Sequence, residues 1–536
     1  MKSSNTFQIA TLVLVGILAI LLGYGYKVVL RQSENICESA RGEANAAPQA
    51  TENTMRVAIP LTERVLSETH KISIVLRSAS AVPSGAPRAF LFCHPQKQFR
   101  SNLTPGWGVI AELDGLKDIS SQWVNDYYTT LALKTLAQKH PKMRRYIAVG
   151  GQRGLDYLND YTALIDGAVV AINGEFNYKA DELSEHLANF SNIPLAFIFS
   201  PDAQRYPGEA LEELMTNAAQ PRKLLTYAVN PPDESAQLAA AFNWLTEQQR
   251  NEREIFWRGK LLPSEPQRWL AIDALEQYNT DSSLRACISE DGRIKISASN
   301  ILQFTLLPTH LPSETPERLT IEINERVVGI YAKTQKLSFS CQDDGTWAHG
   351  ESDEGDGATK HAGYCGPIGH VLQAPAIIIY GTSLSDTAVA WKRSAEKFAN
   401  DCQESYGYQP KVIADQQCTQ EELSGRNLIL FGSPEENSIA NMLLRENPGF
   451  LRQIFSSLPE ESQNLDDLCA VTIVPADEIA SNQSALIVLS DHREAIPLAW
   501  RALLHSATSQ YDFVFYRTKR NECTNCGSYD YHWQKQ

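Results

Sequence analysis

Between residues 55 and 252, short apolar runs rich in β-branched and aromatic residues alternate with amphipathic stretches, and this alternation constrains the fold more than any other feature. The strand-like runs are Ile72–Leu76, Ala89–Cys93, Val109–Leu113, Tyr146–Val149, Ala168–Ile172, Leu195–Phe199 and Leu225–Val229. Helical patterns lie among the later ones, at Glu209–Asn217 and Ser235–Gln249. Runs that are apolar throughout need cover on both faces, so the pattern predicts an α/β architecture with a parallel sheet between helices. The chain has 536 residues, too many for one compact core, and about three domains are expected.

The segment RRYIAVGGQRGLDYL sharpens the expectation. A buried strand ends at Val149, a glycine-rich turn follows, and a helix is expected from about Leu155. This resembles the strand–turn–helix elbow of α/β-hydrolases, whose pattern is G-x-S-x-G. Gly150 and Gly154 take the two glycine positions, with Gly151 and Arg153 between them, and Gln152 stands where the nucleophile belongs. A carboxamide cannot form an acyl intermediate as a serine oxygen does. In such folds the acid follows a later strand and the histidine a still later one. Asp202, in SPDAQRYP after Leu195–Phe199, fits the acid. NPPDES, after Leu225–Val229, puts Asp233 where the histidine belongs, and no histidine lies between His186 and His310. His94 matches the histidine that opens the oxyanion loop, but Pro95 and Gln96 replace the glycines, and proline has no amide hydrogen to donate. The expected pocket is therefore His94, Gly150, Gly151, Gln152, Arg153, Gly154, Ser200 and Asp202, with no catalytic set among the degenerate positions Gln152, Asp202 and Asp233. The plainer reading is an unrelated α/β domain with a glycine-rich turn.

Further on, RWLAIDAL, SSLRACISEDGRIKISASNILQFTLLP and LTIEINERVV alternate as short strands with a turn at Glu290-Asp291-Gly292, predicting a small antiparallel β unit. Residues 341–366 are acidic and glycine-rich, without the D-x-D-x-D-G spacing of a calcium loop. From Gly366 the α/β pattern returns with PAIIIYGT, a helix near Ala390–Asn400, PKVIAD, NLILFGSPEEN, a helix from Ser438, and runs at Ala470–Val474 and Ala485–Leu489. The order of Gly366-Pro367-Ile368, then Gly381 and Thr382, then Gly432, Pro434 and Asn437, is similar to that in bacterial secreted prolyl-oligopeptidase-like proteins of the α/β-hydrolase superfamily, over about residues 55–490. The resemblance implies an ester or peptide hydrolase. It fails at Gln152 and at the missing histidine, and only Asp202 carries over.

Location is read from the first thirty residues. The 24 positions between Lys2 and Lys27 carry no charge, enough to span a hydrocarbon core of about 30 Å as one transmembrane helix. A removed signal peptide is the alternative. The cysteines suggest loop-closing pairs, Cys341 with Cys365, Cys402 with Cys418 and Cys523 with Cys526, suited to an oxidising compartment. Scattered thiols in a cytosolic domain are the competing view. Together these place the bulk of the chain on the periplasmic side of a single-pass anchor.

The expected divisions are a cytoplasmic tip and anchor (1–32), a flexible stalk (33–54), a degenerate hydrolase-like domain (55–252), the β unit (253–340), a disulfide-tied loop (341–366), a C-terminal α/β domain (367–518) and a tail with C-x-x-C (519–536). Forty-eight Lys and Arg against 63 Asp and Glu give a net charge of −15, which argues against a nucleic-acid partner. No cofactor or metal motif is present. Trp123, Tyr127 and Tyr128 sit at helical spacing and are expected in the core, Tyr511, Phe513, Phe515 and Tyr516 suggest an alternating strand, and the Gly381–Ser383 turn offers amides to a phosphate. The function expected is a pseudo-hydrolase binding a protein partner or small ligand in the envelope. The alternatives are an active esterase or peptidase using an unorthodox nucleophile such as Ser200, and a structural subunit of an envelope complex.

Overall fold

A computed structural model describes residues 53–58, 73–78, 89–93, 109–114, 122–151, most of 154–172, 187–190, 193–199, 224–228, 234–248, most of 250–446, 468–476, 484–490, 511–517, 522–530 and 533. The expected anchor and most of the stalk lie outside these residues. No helix among the described residues is long and apolar enough to cross a membrane.

The first sheet is built from β1 (Asn53–Ala58), β2 (Ser73–Ser78), β3 (Ala89–Cys93), β4 (Val109–Asp114), α1 (Gln122–Lys139), β5 (Arg144–Gly150), β6 (Gly167–Ile172), β7 (Leu195–Phe199), β8 (Leu224–Ala228) and α2 (Glu234–Glu247). Its strand order is β1-β2-β4-β3-β5-β6-β7-β8. β2 runs against β1 and β4, and β3 to β8 pair in parallel. That is the order and direction pattern of the α/β-hydrolase sheet. The expected parallel sheet thus carries antiparallel pairing at its first edge, and β1 begins inside the segment read as stalk. Every residue of β6 is buried, as a strand covered on both faces requires. α1 supplies cover with Tyr128, Ala132, Leu133 and Leu136, one stripe at helical spacing. Each large member of that stripe contributes about 1.5–3 kcal/mol by leaving water. α2 packs Ala241 and Leu245 into the core cluster of β6 and β7.

The second unit contains β9 (Glu254–Gly259), β10 (Leu270–Leu275), β11 (Ser282–Ile288), β12 (Arg293–Ser299), β13 (Ile301–Leu306), β14 (Arg318–Ile323), β15 (Arg326–Ala332), β16 (Leu337–Cys341) and β17 (Trp347–His349). They form a five-stranded sheet, β15-β14-β12-β11-β9, and a four-stranded one, β10-β13-β16-β17. Ile255, Leu284 and Ile321 from the first share a core with Ile272, Phe304 and Phe339 from the second, so the unit is a sandwich. The turn after β11 falls where expected, with Gly292 at φ +80°. The unit is not purely antiparallel, since β12 and β14 pair in parallel. β17 forms inside the segment expected as a loop, pairing with β16 across the Gln342–Thr346 turn.

The third unit carries β18 (Ala376–Tyr380), α3 (Ser385–Tyr406), β19 (Lys411–Ala414), α4 (Gln420–Leu423), β20 (Asn427–Phe431), α5 (Ser438–Glu446), β21 (Leu468–Pro475), β22 (Ser484–Ser490), β23 (Phe513–Arg517) and β24 (Glu522–Gly527). Its sheet runs β19-β18-β20-β22-β21-β23-β24, parallel from β19 to β22 and antiparallel beyond. β24 replaces the expected tail. It is paired with β23, which holds the alternating aromatics Phe513 and Phe515 in the core.

The expected disulfides are corrected as well. Cys402, Cys418 and Cys526 carry free thiols, as does Cys341, whose expected partner Cys365 lies outside the described residues. Cys523 and Cys526 both lie on β24, where the Cys523 thiol approaches the Asn525 carbonyl at 3.7 Å. Cys402 is buried on α3, and the Cys418 thiol reaches the Ala414 carbonyl at 3.5 Å instead. The cysteines thus give no support to an oxidising compartment.

Candidate functional site

The elbow lies at the carboxyl end of β5. Gly151 takes φ +73°, a left-handed conformation that an L side chain seldom adopts, so the strand turns at once. Helical residues begin there, four positions earlier than expected, and Leu155, Leu158 and Tyr161 pack their side chains fully into the interior. Gly154 brings this helical segment hard against the strand, for a Cβ there would stand 2.9 Å from the Val149 Cβ. In a free helix Gly→Ala stabilises by about 1 kcal/mol. Here the sign is expected to reverse: Gly154→Ala should cost about 1–3 kcal/mol in denaturant unfolding, because the strand and helix must part. A neutral or stabilising result would refute this close packing.

Of the expected site residues, the structure describes Gly150, Gly151 and Gly154. Gln152, Arg153, His94, Ser200, Asp202 and Asp233 lie outside the described residues. The strands that precede them in sequence are described: β3 ends at Cys93, β5 at Gly150, β7 at Phe199 and β8 at Ala228. These strands are parallel members of one sheet, so their carboxyl ends share one edge. In open α/β sheets that edge is where ligands are bound.

The opposite edge carries a charged cavity that sequence reasoning missed. It measures about 410 Å³ and is lined by Arg144, Arg250, Arg253, Asp166, Glu252 and Glu314 among others. Arg144 opens β5, and Asp166 immediately precedes β6. Asp166 accepts from the Arg145 amide at 2.8 Å and from Arg268 Nη2 at 2.5 Å, and the Arg145 guanidinium lies 3.9 Å away. Burial pushes the Asp166 carboxyl up, but Arg268 and Arg145 outweigh it and hold the group below its ordinary value. Arg250 donates to the Thr162 and Ile165 carbonyls at 2.7 and 2.8 Å, and Arg144 to those of Thr246 and Gln248 at 3.2 and 3.1 Å. These residues come from distant parts of the chain with no motif linking them, so no sequence signal was available.

The weak phosphate signal at the Gly381–Ser383 turn gains no support, because two of its amides are spent within the fold. The Gly381 amide donates to the Phe431 carbonyl and that of Ser383 to the Glu436 carbonyl, each at 2.9 Å. Asn437 completes the stitch, donating from Nδ2 to the Ile379 and Phe431 carbonyls while its Oδ1 accepts from the Ile439 and Ala440 amides. Among the described residues, no group of three His, Cys, Asp or Glu side chains is placed to hold a metal.

Comparison with known proteins gives a likeness in structure alone. No family model matches the chain, and no curated protein matches it in sequence. Among solved structures, a prolyl endopeptidase is 11% identical with a TM-score of 0.27, covering 38% of this chain and 39% of its own. Oligopeptidase B from Trypanosoma brucei, with antipain covalently bound, is 10% identical at a TM-score of 0.25, covering 37% and 38%. A putative dienelactone hydrolase from Klebsiella pneumoniae is 10% identical at 0.27, covering 37% of this chain and all of the other. The chain thus spans about two fifths of the length of the two peptidases. Likenesses this slight carry no argument, and the assignment of a hydrolase-like sheet rests on strand order and direction.

Proposed function

We propose that the chain is a membrane-anchored, extracytoplasmic pseudo-hydrolase that binds a protein partner or small ligand of the cell envelope without cleaving it. One observation carries the reading: a hydrolase-type sheet has its tight elbow after β5, and the sequence puts Gln152 at the point of attack. A carboxamide is neither a nucleophile nor a base at neutral pH. The base is missing as well, since no histidine occurs between His186 and His310. The 24 uncharged positions after Lys2 support the anchor and with it the envelope.

An activated fluorophosphonate probe tests the reading. The full chain is expected to resist labelling and to turn over none of a broad panel of esters and peptides. Labelling that disappears in Ser200→Ala would overturn it in favour of a working hydrolase. The binding half is tested by recovering the chain from detergent extract, where a stoichiometric partner is expected.

A further inference from the structure

We propose that the cavity at the amino-terminal edge of the first sheet, where it meets the β sandwich, is a binding site for a small phosphate-bearing molecule. The proposal is independent of the elbow. β5 begins at Arg144 and ends at Gly150, so about 20 Å of strand separates the two places.

Charge is the first argument. Arg144, Arg250 and Arg253 line the cavity with Asp166, Glu252 and Glu314, and Asp166 is already held by Arg145 and Arg268. The lining itself balances three arginines against three carboxylates, but Arg145 and Arg268 neutralise Asp166 from behind the wall, so the surrounding charge totals five guanidiniums to three carboxylates, a surplus of two. A phosphate monoester at neutral pH carries about −1.5 to −2, which matches that surplus better than a single carboxylate does. Glu314 is 3.5 Å from the Arg253 Nε and half-exposed, so it offsets Arg253 only in part.

Unmet hydrogen bonding is the second. The buried Nε–H of Arg250, a lining residue, has no partner among the described residues. A buried donor left unpaired costs about 1–3 kcal/mol, and an oxyanion relieves that cost. Burial, followed by repulsion from Arg268, pushes the Arg250 guanidinium down to about 9, as expected of a cation short of counter-charge. Guanidinium forks match phosphate oxygens in pairs, and several converging on one cavity favour a tetrahedral dianion.

The third is shape. A cavity of about 410 Å³ admits a small molecule rather than a bare ion. Its walls come from the strand that opens at Arg144, the segment after α2 and the loop holding Glu314, so a ligand there touches both units.

Calorimetric titration of the full chain with inorganic phosphate and with pyrophosphate, at constant ionic strength, tests the proposal. Saturable binding is expected. Arg250→Lys, which keeps a charge but removes the Nε–H and the fork, should weaken it about tenfold. Arg253→Gln, at the more exposed wall, should weaken it several-fold and leaves the fold intact should the Arg250 variant fail to fold. No saturable heat up to about 20 mM phosphate, or equal affinity in the wild type and Arg253→Gln, overturns the site. Tighter binding of citrate than of pyrophosphate overturns the choice of phosphate.

Discussion

Replacing Lys360 by alanine is expected to cost about 3–5 kcal/mol of folding stability. Lys360 comes from a segment whose composition reads as solvated, yet its side chain is fully buried. Its ammonium lies 2.6 Å from Asp512 Oδ2 and donates to the Tyr529 carbonyl at 2.8 Å. The Tyr278 ring centroid is 4.2 Å away and that of Trp533 5.1 Å, so aromatic faces close the remaining directions. Burial pushes the Asp512 carboxyl up and the Lys360 charge opposes it. Without Lys360 the carboxyl keeps the Tyr529 amide at 2.8 Å as a donor but loses its counter-charge. Lys360→Met should recover part of the packing and none of the electrostatics. Adding Asp512→Asn to Lys360→Met should cost less than the two single losses summed, because the buried charge then goes with its partner. Equilibrium unfolding of the four proteins measures this, and strict additivity would disprove the coupling.

The second large effect is expected at Asp166, where Asp166→Asn should lose about 2–4 kcal/mol. The amide keeps the shape of the carboxyl but leaves Arg145 and Arg268 without their shared anion. The pH dependence has a definite sign. A carboxyl depressed in the folded state stabilises the fold above its unfolded value of about 3.8, and that contribution fades as the pH falls through the lower folded value. Acid unfolding below about pH 4 should therefore be shallower in Asp166→Asn than in the wild type. Parallel acid limbs would mean that the carboxylate contributes nothing to the fold.

The sequence showed the sheets better than the chemistry between them. β3 to β7 were legible because central strands buried on both faces must be apolar throughout. β1 was not, since an edge strand tolerates residues such as Arg56 and gives no continuous run. β24 was hidden likewise in a polar stretch that only its pairing with β23 explains. The elbow was readable from Gly150, Gly151 and Gly154, because a left-handed turn and a close helix contact each select glycine. Pairing cysteines by spacing ignored geometry, and Cys526, free on the strand it shares with Cys523, shows the error. Lys360 and the arginine cavity were invisible for one reason: their partners stand as far as 169 residues away, and no local pattern records such a meeting.

The seam between the first sheet and the sandwich is made of polar bonds with fixed partners. Asn189 exchanges two hydrogen bonds with the Arg258 backbone, at 2.6 and 2.9 Å, while Arg250 and Arg268 cap carbonyls at Thr162 and Ile165. Such a seam does not slide as a greasy one does: the modules either dock in one register or forfeit every bond together. A gene fragment stopping at residue 252 would accordingly strand both polar atoms of the Asn189 side chain and take Arg268 from the Ile165 carbonyl.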